Sequence, residues 1–567
     1  MPINLISDPW LPVRRLSGAR VWVRPVDITS QFAGDPILAL DFPRTDWNAA
    51  VTELLIGLLA CVVAPEDNRG WAKLWETPPP AEELAERLAP LVFAFNLDGE
   101  GPRCFQDLDR LAECEEKPVS ALLIDAPGAN ALTKNADLFV KRAEELALSP
   151  AYAAAALITM QTYAPAGGQG NRTSMRGGGP LTTLPLPRRK SGDDGIITTL
   201  WDAVWASVPC RDEDNMPPEG TGEAWAKVFP WLVAARTSQN DRSTSPEQAH
   251  PLQCYFGTPR RIRLSVAPAN GGHCGLGGGT GDISVVGFRQ KNLGVKYEGW
   301  LHPHSPYYAD KNAGKFPYHP QPGGATYRDW LIWLISPANR TTEPAAVIRG
   351  WAERAKRLPP AKEGEVWQSG VLACGFDMDN MKARGWLEVR VPYFDPPLGM
   401  DPARWYVRFF SSVSQLVAGA EDTGRRLRYC TRLAKFASRD GNGGYSLSKT
   451  SPGKDAFNDL YETFWRETEP DFRDVLEKLR GNPADEAWEM RRAFCLVLRR
   501  KALRLFDDIA GTDSLADQDA RRVVEARSVL TSAFGEAGSV LSALGIVTVE
   551  AQAKAAKRRN AKKKEPA

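Results

Sequence analysis

The spacing of apolar and polar residues changes character twice along the chain. In the first forty residues, short apolar runs alternate with turn residues, so Asn4–Val13 and Val21–Val23 read as short strands with polar breaks. At Pro43-Arg44-Thr45-Asp46-Trp47 the pattern becomes helical, with Thr45 or Asp46 as the cap and the apolar run Val51–Val63 behind it. A second helix is predicted over Ala81–Leu88, stopping before Pro90. Ser149-Pro150 leads into the Ala-rich run Ala151–Tyr163, which predicts a buried helix with a sharp start. From about 180 to 395 the chain reads as short strands and loops rich in Pro, Gly and Trp. Arg261–Val266 alternates as a half-exposed strand does. Gly370–Phe376 and Gly385–Tyr393 read as a hairpin with a polar tip of about eight residues, Asp377–Arg384.

After Pro402 the rhythm is helical to the end. Four segments, about 402–437, 453–480, 484–508 and 515–543, are divided by Gly/Ser/Asn-rich loops such as Arg439–Gly444. In the third, Trp488, Phe494, Leu496, Leu498, Leu503 and Leu505 mark an apolar face, with Arg491, Arg492, Arg499, Arg500 and Arg504 mostly elsewhere on the wheel. The expected fold class is α+β. A large mixed domain of short strands, helices and long loops (1–398) precedes a four-helix bundle (399–548) and a basic disordered tail (549–567).

Composition narrows the class. Hydrophobic residues at 43% and charged residues at 25% suit a soluble globular chain and exclude collagen, a coiled-coil rod or wholesale disorder. No run reaches the roughly 18 uncharged apolar residues of a membrane span. The nearest, Ala49–Val63, contains Glu53 and reads as a buried helix. Met1–Leu5 lacks a basic region and a signal core, so a cytoplasmic location without a membrane partner is expected. The net charge of +2 is uneven: Ala551–Ala567 carries seven Lys or Arg against one Glu, so the other residues sum to −4. Nucleic-acid binding must therefore come from local clusters. Nine scattered cysteines, an odd number with no CxxC, suggest reduced thiols.

The candidate chemistry is sparse. The chain has no phosphate loop of the GxxxxGK[ST] type, no HExxH and no GxSxG. His302-Pro303-His304 suits either a metal or two loop histidines packed among prolines and aromatics, and His273-Cys274 lies upstream. A nuclease built on dispersed carboxylates and these histidines stays open. Gly167, Gly168 and Gly170, then Arg172, Arg176 and Gly177–Gly179, combine bare backbone with guanidiniums, which suits a polyanion. A flexible turn with surface arginines fits equally. Lys134–Arg142 sets Lys134, Lys141 and Arg142 around Phe139 and Val140, suited to stacking bases or to a helix turn with Phe139 in the core. The hairpin tip offers Met378, Asn380 and Met381, suited to wedging between base pairs or to an ordinary loop. In the bundle, Arg425, Arg426, Arg428, Arg432 and Lys435 form one cationic group and Arg499, Arg500, Lys501 and Arg504 another. These are either solvated faces or a track for a nucleic-acid backbone.

The order of these features resembles CasA, the large-subunit family of type I-E Cascade CRISPR surveillance complexes. The likeness runs nearly end to end. It is carried by Asn4-Leu5-Ile6-x-x-Pro9-Trp10-Leu11-Pro12-Val13, Pro43-Arg44-x-Asp46, Pro165-x-Gly167-Gly168-x-Gly170, Arg176-Gly177-Gly178-x-Pro180-Leu181-Thr182-Thr183 and Trp300-x-His302-Pro303-His304-Ser305-Pro306, followed by the helical bundle. The resemblance implies a non-catalytic subunit that reads the protospacer-adjacent motif (PAM) in double-stranded DNA and helps open the duplex for pairing with the CRISPR RNA. It further implies other Cascade subunits and a helicase-nuclease as partners, and no cofactor. The family's glycine loop maps onto Ala166, Gly167, Gly168, Gln169 and Gly170. A PAM-contacting lysine maps best onto Lys291, with Arg289 as its rival. A wedge amide maps onto Asn380 beside Asp379, where the family has glutamine. A loop touching the base of the complex and the DNA maps onto Lys134, Asn135, Phe139, Val140, Lys141 and Arg142. Some members hold zinc with two CxxC pairs. Those positions fall here on Ser149-Pro150-Ala151-Tyr152 and near His273-Cys274-Gly275-Leu276, so no zinc is expected.

Overall fold

The computed structural model describes residues 3–546, apart from 138–146, 168–169, 191–195, 214, 221, 270–273, 278–281, 311–313, 322–323, 335–341, 356–369, 380–381, 393–399, 440, 442, 454, 482–486, 511–518 and 537. The basic tail, 549–567, lies outside them. The chain divides into two compact units. The first is mainly Met1–Gly324 and Arg340–Tyr393, and the second mainly Ala325–Leu331 and Phe394–Ala567.

The first unit is built around one helix, Thr45–Val62, which is buried on nearly every side. It is the one described helix long and apolar enough to cross a membrane by composition, and 78% of it is buried inside the fold. Around it pack the helix Pro150–Thr162, the helix Leu200–Trp205, the turn Pro251–Tyr255 and the strand Gly370–Asp379. Neither Thr45 nor Asp46 caps it: Arg44 holds the cap position without a side-chain hydrogen bond. Asp46 sits in the first turn, where the helix dipole favours a carboxylate, and Arg44 forks onto it at 3.1 and 3.0 Å. Phe95, Phe105, Phe229, Trp231 and Phe256 form one aromatic cluster, with edge and tilted contacts 4.7–6.5 Å apart. Trp71, Trp75, Trp205 and Trp351 form another.

Among the described residues the sheets are small and antiparallel. Leu11–Arg15 lies between Arg20–Val23 and Ile37–Leu40. Asn4–Trp10 is not a strand: Asn4 Oδ1 accepts from Ile6 N and Ser7 N, bending the chain before Pro9. Ile283–Lys291 lies between Glu116–Pro118 and Arg261–Pro268. Gly370–Asp379 lies between Lys382–Pro392 and Thr182–Leu186.

In the second unit, the long helix Pro402–Phe436 packs against Asn458–Gly481, Ala487–Ala510, Ala520–Ser532 and Ser539–Ala543. The expected fourth helix is two pieces. The first ends at Ser532 and the second begins at Ser539, and a Cβ on Gly538 would meet Ala533 O at 2.1 Å. The expected apolar face of the third helix is also partly wrong: Trp488 is 45% and Leu496 61% exposed. The buried stripe is Ala487, Phe494, Cys495, Leu498, Ala502, Leu505 and Phe506, in which small residues admit the neighbouring helices. Much of the cationic character is spent inside this unit. Arg426 pairs with Asp422 at 2.9 Å, Arg428 reaches Asn458 at 2.7 Å, Lys501 pairs with Asp471, and Arg504 with Glu467. Arg499 and Arg500 are exposed.

Gly57 tests how tightly the central helix is packed. A Cβ there would come 2.6 Å from Tyr255 Cβ and 3.0 Å from Phe256 Cζ. Helix propensity favours Gly57→Ala by about 1 kcal/mol, whereas overpacking a filled core costs about 1–3 kcal/mol. A neighbouring Cβ cannot swing aside, so the steric cost wins. Urea denaturation of Gly57→Ala is expected to show a net loss of about 1 kcal/mol; an unchanged or raised midpoint would mean that this contact is loose.

Candidate nucleic-acid interface

The glycine loop leaves the end of the helix Pro150–Thr162, which Ser149 caps through Tyr152 N at 3.3 Å. Gly167 is exposed, while Gly168 and Gln169 lie outside the described residues. The loop is held from beneath. Arg260 Nη2 donates to Pro165 O, and Asn171 Nδ2 donates to Gly167 O at 2.7 Å. A Cβ on Gly167 would lie 2.7 Å from Asn171 Cβ and 2.9 Å from Arg260 Nη1. Gly170 has φ +80°, in the left-handed region that favours glycine, and a Cβ there would meet Asn292 Cβ at 3.0 Å. Ala166 is partly buried, its N 3.1 Å from where a Cβ on Gly178 would sit.

The structure brings Lys291 to this loop. Gln290 Nε2 donates to Asn171 Oδ1 at 2.7 Å, and Leu293 N donates to Gly170 O at 2.8 Å. The end of the strand Ile283–Lys291 is therefore stitched to the loop from both sides of Lys291. Its register opposes Lys291 to Arg261 and Arg289 to Arg263, which places four cations on one face. Acids from the preceding loop and strand separate them. Lys291 pairs with Glu113, Arg289 with Glu116 at 3.7 Å, and Arg261 with Asp107 and, at 3.5 Å, Asp109. The Lys291–Glu113 and Arg289–Glu116 pairs are solvent-exposed and so cheap to exchange for phosphate.

The hairpin differs from expectation. Strand pairing continues through Asp377–Gly385, Met378–Ala383 and Asp379–Lys382, and Arg384 pairs with Asp377 at 2.6 Å. The ladder therefore takes in most of the eight-residue tip. Asn380 and Met381 lie outside the described residues. Met378 packs over Gly179, where a Cβ would come 2.5 Å from Met378 Cγ, so the foot of the tip rests on the second glycine stretch. Of the loop 134–142, Lys134 and Asn135 are exposed. Asn135, at φ +47°, and Ala136, whose N donates to Ala131 O at 2.8 Å, close the short helix Ala129–Thr133. Phe139, Val140, Lys141 and Arg142 lie outside the described residues.

Arg176 overturns one alternative: it does not face a polyanion. It is 3% exposed and forks onto both carboxylate oxygens of Glu53 at 3.1 and 3.0 Å. Tyr163 Oη and Thr182 Oγ1 donate to Glu53 Oε1, both at 2.8 Å, and His304 Nδ1 bonds Oε2 at 3.0 Å. Arg172 likewise turns inward, onto Ser238 Oγ at 2.7 Å. Burial alone would raise the Glu53 carboxyl, but Arg176, with His304, holds it well below its usual range. Burial pushes His302 and His304 down, so both are neutral near pH 7.

Glu53, His302 and His304 offer ligand atoms within 4.8 Å of one another. The fit to a divalent cation is poor, because Arg176 already neutralises the only carboxylate and would face the ion. The three side chains are at most 4% exposed. Glu53 is the residue that sequence reasoning undervalued. Its signal was present, a lone carboxylate in an apolar helix.

The family description CRISPR-associated protein Cse1 matches residues 4–505. This chain belongs to the Cse1 family. Thermus thermophilus CasA (Cse1) is similar over 95% of this chain and 99% of its own, at 16% identity and TM-score 0.63. Thermobifida fusca Cse1 is similar over 96% and 99%, at 18% identity and TM-score 0.64. A chain of a structure described as a CRISPR RNA-guided surveillance complex matches over 94% and 100%, at 17% identity and TM-score 0.65. The resemblance to CasA drawn from the sequence is thus to the right family, and the mixed α+β fold with its C-terminal helical region is that of these structures.

The structure also juxtaposes the two stretches that the sequence resemblance sets against CxxC pairs. Ser149 N donates to Cys274 Sγ at 3.3 Å, and Gly275 N donates to Ala147 O at 2.9 Å. His273 lies outside the described residues. Ser149 Oγ is already committed to the helix cap, so one thiolate remains where four would be needed. Among the described residues this donor set does not suit zinc.

The buried network predicts an acid-labile fold. Glu53, His302 and His304 all have folded-state pKa values below their unfolded ones, so the folded protein binds fewer protons than the unfolded chain in acid. That stability is fully present above pH ~6.5 and is lost as pH falls, first through the histidines and then through Glu53. The urea midpoint is expected to drop between pH 7 and pH 5. Glu53→Gln, which leaves Arg176 buried and unpaired, is expected to cost about 3–5 kcal/mol at pH 7. A flat pH profile together with a small loss in Glu53→Gln would show that the network is not stabilising.

Proposed function

We propose that this chain is the large subunit of a type I-E Cascade complex, working in the cytoplasm with the other Cascade subunits and the CRISPR RNA. In this reading it recognises the PAM in double-stranded DNA, promotes duplex opening and R-loop formation, and helps recruit the helicase-nuclease. Its part is binding rather than bond cleavage. PAM reading and complex docking belong to residues 1–398, with Lys134–Arg142 as a contact loop and Asp379 and Asn380 as the wedge. The helical region 399–548 guides the displaced strand, for which Arg499 and Arg500 are exposed cations.

The observation that supports the reading best is the stitching of the glycine loop to the strand end that carries Lys291 and Arg289. Bare backbone fits a narrow minor groove, and a neighbouring lysine reaches its acceptors. Minor-groove readout separates mainly A·T from G·C, so such a reader accepts several related motifs. Long sequence recognition is left to base pairing with the guide. Opening one step costs on the order of a few kcal/mol; a wedge in the gap and cations along the displaced strand offset it.

The test is target binding by the complex assembled with CRISPR RNA, with matched duplexes carrying a permissive or a mutated PAM. The unaltered complex is expected to prefer the permissive PAM. Gly168→Asp with Lys291→Ala is expected to assemble and to lose about 1–3 kcal/mol of that preference. Retention of the preference would refute the residue assignment. If the unaltered complex ignores the PAM, the chain is an assembly scaffold instead.

A further inference from the structure

Arg260 lies directly beneath the glycine loop and is only 7% exposed. Its backbone is fixed by Gln161, whose Oε1 accepts Arg260 N at 3.0 Å and whose Nε2 donates to Arg260 O at 2.9 Å. Its guanidinium reaches Pro165 O and flanks the Cα of Gly167. Among the described residues no carboxylate pairs with it, and its buried Nε has no hydrogen-bond partner. The acids of this region are committed to other cations: Asp107 to Arg261, Glu113 to Lys291 and Glu116 to Arg289. Lys117 adds a second positive charge. Its Nζ bonds Gln290 Oε1 at 3.0 Å, and burial followed by the Arg260 charge pushes its ammonium down. Burial likewise pushes the Arg260 guanidinium down to about 10. A buried cation with no counter-ion is costly, and an anion brought to it relieves that cost.

We propose that Arg260, assisted by Lys117, is a phosphate-binding subsite under the glycine loop, and that its missing counter-ion is one backbone phosphate of the duplex beside the step the loop reads. This deepens the PAM-reading proposal and rests on it. Arg260 positions the duplex, and the loop with Lys291 reads it. Phosphate contacts set register and orientation without carrying sequence. The contact therefore contributes equally to permissive and mutated motifs.

The experiment uses the complete complex with CRISPR RNA and compares the unaltered chain with Arg260→Gln and Arg260→Lys. Targets are measured over a salt series, and a second set carries single neutral methylphosphonates stepped through the duplex around the PAM. Arg260→Gln is expected to bind both PAM classes about tenfold more weakly, with a salt slope smaller by about 0.9. Arg260→Lys restores most of the slope. One methylphosphonate position weakens the unaltered complex but leaves Arg260→Gln unaffected. If Arg260→Gln weakens binding with an unchanged slope and responds to every methylphosphonate as the unaltered complex does, Arg260 only props the loop and the proposal fails. If the unaltered complex shows no PAM preference, the PAM-reading function fails separately, and the slope and the methylphosphonate scan still decide the phosphate contact.

Discussion

The first unit depends on one buried carboxylate. Glu53 sits within the central helix and is contacted by Tyr163, Arg176, Thr182 and His304, which come from four other stretches of chain. Such a pair is not a cheap source of stability, since desolvating both charges offsets much of their attraction. Its worth lies in geometry. A carboxylate with its acceptors filled from four directions allows one arrangement of those segments, and any slip leaves a charge buried without a partner.

That arrangement shapes the surface above it. Arg176 draws its segment inward, which seats Gly177–Gly179 under the hairpin at Met378 and sets Ala166 against Gly178. The loop that remains outside is then held by Asn171 and Arg260 on one side and by Gln290 and Leu293 on the other. Glycine at 167 and 170 answers to packing as well as to conformation, because a side chain at either would collide with the residues that hold the loop. Close backbone approach to a groove needs bare, pre-placed backbone, and these contacts provide it.

The charge pattern follows the same economy. With a slightly negative body, the chain holds many of its cations in ion pairs: exposed pairs at Lys291 and Arg289, and pairs within the bundle at Arg426, Lys501 and Arg504. Exposed pairs exchange readily for phosphate and give little stability by themselves. This suits the proposed reading, in which specificity comes from shape at one loop. Arg260, like Arg354, is buried with an unpartnered Nε and has no carboxylate pair among the described residues, but it alone lies beside Gly167.

Local pattern determined much of this protein by itself. Periodicity placed the buried helices at Thr45–Val62 and Pro150–Thr162 and the change to helices after Pro402, and the ordered motifs identified the family. It failed where the answer depended on what lies opposite. The third bundle helix buries Ala487, Cys495 and Ala502 and exposes Leu496, because small residues fit a close helix–helix contact while the hydrophobicity of Leu carries no direction. Arg176 follows a glycine loop like a phosphate ligand, yet its partner is a carboxylate 123 residues away. Most of the hairpin tip became strand, with a register shift after Asp377 across which Arg384 pairs with that carboxylate. Lys291 and Gly170 became neighbours only through hydrogen bonds made by Gln290 and Leu293. Periodicity reports the environment of a helix or strand, since that is set by residues a few positions apart. Ion pairing and site geometry are set by residues distant in sequence, and only the folded chain chooses among them.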